Sequence, residues 1–231
     1  MKLRAGTSGF SFKEWKGHFY PGDLPAGRML AYYAEHFPAV EINNTFYRMP
    51  KADVLAAWCE QVPDGFRFAV KASQRITHRK RLLGVEEDLD YLLGNLAVMG
   101  ERLGAVLFQL PPNMKKDVGR LAAFAERLRG GPRAVFEFRH EVWRDEEVYD
   151  VLRSIGAAVC FSQTDDEPDP PHVGTAPWGY LRLRRERYDD TGLALVLDRL
   201  AATGWDEAFV FLKHEVDGPA YARRLLELAR A

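Results

Sequence analysis

Little in this sequence could staple a secreted fold, span a membrane or coat a polyanion. It has two cysteines in 231 residues, Cys59 and Cys160. They fall in a predicted helix and a predicted buried strand, which reads as reduced core thiols rather than a disulfide framework. No run of about 18 apolar residues occurs, and after Met1 the chain enters a strand-like Leu3-Arg4-Ala5-Gly6 instead of the apolar stretch of a signal peptide. The expected location is therefore the cytoplasm, without membrane insertion. Like-charge and Ser/Gly-rich tracts are missing, so disorder is not the default. With 32 Lys and Arg against 33 Asp and Glu the formal net charge is -1, and any anion site must be local.

Several motifs are absent as well. Gly6-Thr7-Ser8-Gly9 is not the G-x-G-x-x-G turn that a doubly wound dinucleotide fold would want after its first strand. There is no H-x-H, H-E-x-x-H or Cys-pair spacing for a metal and no nucleophile elbow for a Ser-His-Asp hydrolase.

What is present is alternation. β-type runs fall at residues 2–8, 39–43, 66–73, 105–110, 134–139, 157–161, 179–184 and 208–213, with helical patterns at 28–37, 52–61, 86–102, 118–128, 146–155, 193–203 and 219–229. Asp117 and Asp145 are placed to cap helix N-termini, and Gly104, Gly156 and Gly204 stand near expected C-termini. Eight strand-helix units predict an α/β fold of the TIM-type (β/α)8 barrel class, one domain over residues 1–231 whose sixth crossover is mostly loop. A doubly wound open sheet is the alternative. Two connections are long and follow strands, at the face where barrel enzymes keep their sites. Residues 9–25 carry Phe10, Phe12, Trp15, Phe19 and Tyr20, and residues 162–177 are acidic and Pro-rich. Each reads either as a lid or, respectively, as an aromatic cap and a solvated loop.

Side-chain alternation then predicts what faces the barrel lumen. If the apolar parity packs on the helices, the inward set includes Arg4, Arg67, Lys71, Arg139, Arg182, Arg184 and Lys213 against Glu41 and Glu137, a surplus of 7 - 2 = 5 positive charges. Asn43, Gln109 and Tyr180 share that parity. Barrel interiors are ordinarily Val, Ile and Leu, and unpaired buried charge costs several kcal/mol per ion. These groups must pair, reach a mouth or meet an anion. Arg4 and Arg67 lie at strand starts and could reach solvent on the opposite face, leaving Lys71, Arg139, Arg182, Arg184 and Lys213 at the catalytic mouth. Without a ligand, the two glutamates would clamp the cations as a locking network. Outside the lumen, the run from Lys71 to Arg81 holds five cations, His78 and no acid. With Phe46 and Tyr47 nearby it could follow a nucleic-acid backbone, or simply be a solvated loop.

Several segments together resemble one family. Gly6-Thr7-Ser8-Gly9-Phe10 with Trp15, Tyr32-Tyr33, Val40-Glu41-Ile42-Asn43-Asn44-Thr45-Phe46-Tyr47, Lys71-Ala72 with Thr77-His78, Gln109-Leu110-Pro111-Pro112, and Glu137-Phe138-Arg139-His140 with Trp143 resemble the domain-of-unknown-function family 72, the YecE-like proteins. The resemblance implies a (β/α)8-type barrel over essentially the whole chain and no established reaction. The C-terminal third departs from that pattern. Arg182-Leu183-Arg184-Arg185 stands where the family usually has Arg-x-His-Gly, Lys213-His214 where it has paired asparagines, and Gln163 where an Asp often closes the sixth strand, with Asp165 two residues on.

The function expected is that of a barrel enzyme acting on a small phosphorylated or otherwise anionic substrate. Glu137, Glu41 and Lys71 are the candidate catalytic groups, with Lys71 a Schiff-base candidate if neighbouring cations lower its pKa. Arg139, Arg182, Arg184, Lys213, Gln109, Asn43, Tyr47, His78 and Trp143 are the candidate ligand contacts. A non-catalytic anion-binding protein and a nucleic-acid-processing protein are the alternatives. No cofactor is expected. A remote likeness of the barrel to metal-dependent sugar isomerases and phosphodiesterases keeps a divalent metal in view, which would need Glu41, Glu137, His140, Asp165 and His214 to converge against the cationic lumen.

Overall fold

The computed structural model describes residues 1–230. Eight parallel strands carry the expected alternation: β1 (Lys2–Thr7), β2 (Ala39–Ile42), β3 (Arg67–Lys71), β4 (Leu103–Gln109), β5 (Ala134–Glu137), β6 (Ala158–Gln163), β7 (Trp178–Leu183) and β8 (Glu207–Leu212). Helices α1 (Met29–His36), α2 (Ala52–Glu60), α3 (Glu86–Leu96), α4 (Val118–Glu126), α5 (Glu146–Ser154), α6 (Asp190–Ala201) and α7 (Gly218–Leu228) fill every crossover but the sixth. Asp117 and Asp145 cap α4 and α5 by accepting from the backbone N–H groups of Arg120 and Glu147. Gly156 and Gly204 do follow helices in left-handed conformations.

The glycine expected to end α3 is a different one. That helix stops at Leu96, and the chain turns at Gly100 with φ 50°. Gly104 instead lies inside β4, where a Cβ would come within 2.9 Å of the Phe209 ring. Its lack of a side chain serves the barrel interior rather than a helix end.

Each strand is hydrogen-bonded to its neighbours in the order β1-β8-β7-β6-β5-β4-β3-β2. Among the described residues no ladder joins β1 to β2, and the barrel is nearly closed there by side-chain chemistry. The Tyr33 hydroxyl of α1 accepts from the Thr7 backbone N–H at 2.8 Å and donates to the Ala39 carbonyl at 3.1 Å. At the same seam Gly6 lets the strands approach so closely that a Cβ would stand 2.0 Å from the Ala39 oxygen.

The lumen is filled asymmetrically. Small side chains face it from the near strands, Ala39, Ala69, Ala105 and Ala158, and large ones from the far strands, Trp178, Tyr180, Phe209 and Phe211. The interdigitation makes a dry middle layer. Beneath it Arg4 is buried against Glu207, with Nε 2.7 Å from Oε1, and Arg133 binds the other oxygen at 2.5 Å. Arg4 therefore does not reach solvent as expected, and Arg67 is half-buried against the carbonyls of Asp64 and Phe66. Glu207 shares the inward parity of Phe209 and Phe211 but lies one residue before the expected start of that strand.

The two long connections are packed down. Trp15 and Tyr20 are almost wholly buried, Trp15 Nε1 donates to the Glu215 carbonyl at 2.8 Å, and the Tyr20 hydroxyl bonds the Phe10 carbonyl. The first loop is thus an aromatic cap tied to the chain after β8. In the second, Asp169 takes hydrogen bonds from Arg185, Arg199 and Gln163.

Tyr33→Phe keeps the ring and removes the seam hydroxyl, orphaning a buried N–H and a buried carbonyl. A loss of about 1–3 kcal/mol in urea unfolding is expected, and an unchanged midpoint would show that the seam does not depend on this hydroxyl.

Candidate functional site

Because β2, β5 and β7 all point their last inward residues toward the same end of the lumen, Glu41, Glu137 and Arg182 meet although they are far apart in the chain. All three are buried. Arg182 NH2 donates to Glu41 Oε1 at 2.9 Å and NH1 to Glu137 Oε2 at 2.7 Å, so one guanidinium bridges both carboxylates. The Tyr180 hydroxyl donates to Glu41 Oε2 at 2.7 Å, and the Asn43 amide donates to Oε1 at 2.8 Å. On the other side Gln109 donates to Glu137 Oε2 at 2.9 Å and accepts from Lys71 Nζ at 2.7 Å. A continuous polar chain thus crosses the mouth from Tyr180 to Lys71.

Three further cations surround it. Arg139 Nε lies 2.7 Å from Glu137 Oε1, Arg184 NH1 lies 3.8 Å from the same oxygen, and Lys213 follows β8 at the surface. Arg139 is off the line of a hydrogen bond, so Oε1 has charged neighbours and no aligned donor. Arg182 Nε, Arg184 NH1, Ser8 Oγ and Ser162 Oγ are likewise buried without a hydrogen-bond partner among the described residues. Charges at the mouth total five cations against two carboxylates, an excess of 5 - 2 = 3.

These surroundings separate the titratable groups. Burial alone would raise Glu137, but the guanidiniums of Arg182, Arg139 and Arg184 outweigh it and hold its pKa down at about 2. Glu41 is lowered for the same reason, by Arg182 and its hydrogen bonds against the effect of burial. Lys71 moves oppositely for a cation: burial first, then repulsion from Arg182, lowers it from 10.5 to about 8 despite the two glutamates. His78 and Lys213 are lowered by burial and neighbouring cations.

Of the sequence candidates, Glu41, Glu137, Lys71, Gln109, Asn43, Arg139, Arg182, Arg184 and Lys213 are brought together. His78 sits at the edge, its ring 4.8 Å from that of Phe46, which in turn lies under Lys71. Tyr47 is 77% exposed beside Phe46 and does not reach the cluster. Trp143 is outside it: the indole is buried behind β5, stacked on Phe138 at 5.0 Å, and its N–H is spent on the Met114 carbonyl at 2.9 Å. The parity of β7 already pointed Tyr180 inward, yet its bond to Glu41 has no local signature. Ser162 follows Cys160 on the inner parity of β6, a strand that runs two residues beyond the expected end. A cleft of about 660 Å3 opens beside the cluster, with Arg139, Cys160 and Ser162 on its inner wall and the 163–171 segment on its outer one.

Among the described residues no three His, Cys, Asp or Glu side chains are gathered to hold a metal ion, and no helix is long and apolar enough to cross a membrane. His140 and His214 accept from backbone N–H groups two or three residues on, and Asp165 accepts from the Glu186 backbone. In the basic segment after β3, Arg75 and Lys80 both pair with Asp88 of α3, at 2.7 and 2.8 Å.

Arg182→Met leaves two buried carboxylates without their counter-ion, and a loss of about 3–5 kcal/mol at pH 7 is expected. In the wild type the lowered pKa of each glutamate stabilises the fold above about 4.5, and that contribution is lost as pH falls below it, toward about 2 for Glu137. In the variant the orphaned carboxylates take up protons more readily, so its deficit should shrink at pH 4. A deficit equal at pH 7 and pH 4 by urea unfolding would mean that Arg182 acts through packing alone.

The comparisons with known proteins agree with this architecture. The sequence is 33% identical over 112 residues to UPF0759 protein YecE of Escherichia coli (strain K12), a match covering 48% of this chain and 41% of that one. It is 30% identical over 165 residues to UPF0759 protein YunF of Bacillus subtilis (strain 168), covering 67% and 58% respectively. These matches span about half the length of the curated relatives. The crystal structure of a DUF72 family protein from Thermotoga maritima superposes with a TM-score of 0.84 at 25% identity, covering 100% of both chains. The family model described as "Protein of unknown function DUF72" matches residues 4–231, and the chain belongs to that family.

Proposed function

We propose that the cationic mouth binds a small anion, phosphorylated or carboxylated, as the substrate of a barrel enzyme. The observation that carries this reading is the division of labour among the cations. Arg182 is consumed by the two buried glutamates, while Lys71, Arg184 and Lys213 have no hydrogen-bonded carboxylate of their own. Buried guanidinium nitrogens that lack an acceptor within the protein favour an acceptor brought by a ligand. In this reading Arg139, Arg184 and Lys213 hold the anion, and the cleft beside Arg139 and Ser162 gives it access.

The assignment of roles follows from the pKa directions. A carboxylate at about 2 is a poor proton donor and a weak base near neutrality. Glu137 and Glu41 then serve as fixed negative charges that orient Arg182 and offset cationic charge. Lys71, at about 8, is the group suited to proton transfer near neutral pH. Asp88 neutralises part of the basic segment, which favours a small anion over a nucleic-acid backbone.

Thermal unfolding with inorganic phosphate, pyrophosphate, small carboxylates and short oligonucleotides tests the proposal. At least one small anion should raise the midpoint, and Arg184→Ala should weaken it by about 10-fold or more in Kd, the loss of one charge-assisted hydrogen bond. No stabilisation by any small anion, or equal affinity in the variant, would overturn it.

A further inference from the structure

One member of the cluster differs from the rest in its partner. Among the described residues no carboxylate comes within ion-pair distance of Lys71; its amine donates to the neutral Gln109 oxygen at 2.7 Å and lies 4.2 Å from the centroid of the Phe46 ring. An ammonium of ordinary basicity would be expected to take a carboxylate where two are so near. Here both are turned to Arg182, and Gln109 stands between Lys71 and Glu137 as a spacer. The amine sits at the C-terminal end of β3, on the face where barrels carry out chemistry, and keeps about a tenth of its surface open at 9%.

We propose that Lys71 forms an iminium with the carbonyl carbon of a small anionic aldehyde, ketone or 2-oxo acid. The proposal rests on the anion-site reading above, since Arg139, Arg184 and Lys213 would hold the phosphate or carboxylate while the carbonyl meets the amine. In the step, the nitrogen lone pair attacks the carbonyl carbon to form the C–N bond. The C=O π pair moves to oxygen, which takes the nitrogen's proton to give a carbinolamine. A proton from solvent then lets the hydroxyl leave as water as the remaining nitrogen lone pair closes the C=N bond. One amine, one carbonyl and one proton become one iminium and one water, without an oxidant or reductant.

Each surrounding group suits this step. A pKa of about 8 leaves roughly a tenth of the amine unprotonated at pH 7, against well under a thousandth for an ordinary lysine. Gln109 Oε1, which accepts from the ammonium, can accept equally from the carbinolamine N–H and so hold the nitrogen in place. Once the iminium has formed, the face of Phe46 and the two ionised glutamates offset its positive charge. Burial keeps bulk water from the C=N bond.

The test is reductive trapping. The protein is incubated with pyruvate, glyoxylate or dihydroxyacetone phosphate and sodium cyanoborohydride, and the modified site is found by peptide mass mapping among its nine lysines. The expected result is an adduct concentrated on Lys71, rising with pH around a midpoint near 8, suppressed by excess inorganic phosphate, and lost in Lys71→Arg. Phosphate protection is read on the wild type, so a poorly folded variant does not leave the question open. Labelling spread over exposed lysines, or at Lys71 without phosphate protection, would overturn the proposal. If Lys71 stays unlabelled while the same carbonyl anions still raise the thermal midpoint, the iminium falls and the anion site stands. If they do neither, both fall.

Discussion

Arg182 holds two buried carboxylates that come from strands on opposite sides of the barrel, and the charge layout of the whole mouth follows from that choice. A planar guanidinium can give separate N–H groups to Glu41 and to Glu137 without rotating away from either; a lysine ammonium would have to divide one point charge between them. The dry aromatic layer of Phe209, Phe211 and Tyr180 beneath strengthens these contacts by keeping water out. It also makes the trio indivisible, since a charge left behind by removing any member would lie in a low dielectric. With both anions bound to Arg182, Lys71, Arg184 and Lys213 are left without a hydrogen-bonded carboxylate.

That layering accounts for an otherwise unusual barrel. At the mouth three strands contribute arginine or glutamate to positions where Val or Leu would usually pack, so closure cannot rest on apolar layers alone. The floor solves its own problem with Arg4, Glu207 and Arg133, and the seam is bridged by Tyr33 where Gly6 brings the edges too close for a side chain. Polar groups thus stabilise the fold at its bottom and its seam, and the same kind of group at the top is left with uncompensated positive charge. The difference lies in pairing: below, Arg4 and Arg133 each hold an oxygen of Glu207, whereas above Lys71, Arg184 and Lys213 have no hydrogen-bonded carboxylate.

The eight strands and the inward parity of Lys71, Glu137 and Arg182 were legible because a period of two in a strand encodes facing directly. So was the loop in place of a sixth helix. The pairings were not legible: Arg182 and Glu41 are 141 residues apart, and nothing local marks which of several inward cations takes which carboxylate. Trp143 shows the converse difficulty. It follows the Glu137-Arg139 segment closely in sequence, yet a short turn over Glu141–Trp143 carries it behind the strand into the core. Gly104 looked like a helix end for a related reason, since a glycine that admits a neighbouring ring and one that ends a helix are the same letter.

The residues that follow β7 and β8 sort by position in the same way. Arg185 reaches away to Asp169 and His214 accepts the backbone N–H of Asp217, so both serve the loops. Arg184 and Lys213 face the mouth, where burial and then repulsion from Arg184 lower the affinity of Lys213 for a proton. Like charges near one another cost stability wherever they are not neutralised, and here Arg184 is half-buried in the mouth while Lys213 is exposed just past the end of β8. In the proposed reading the buried trio and the lysine supply a common frame, and these two positions decide how much negative charge a ligand must carry to be held there.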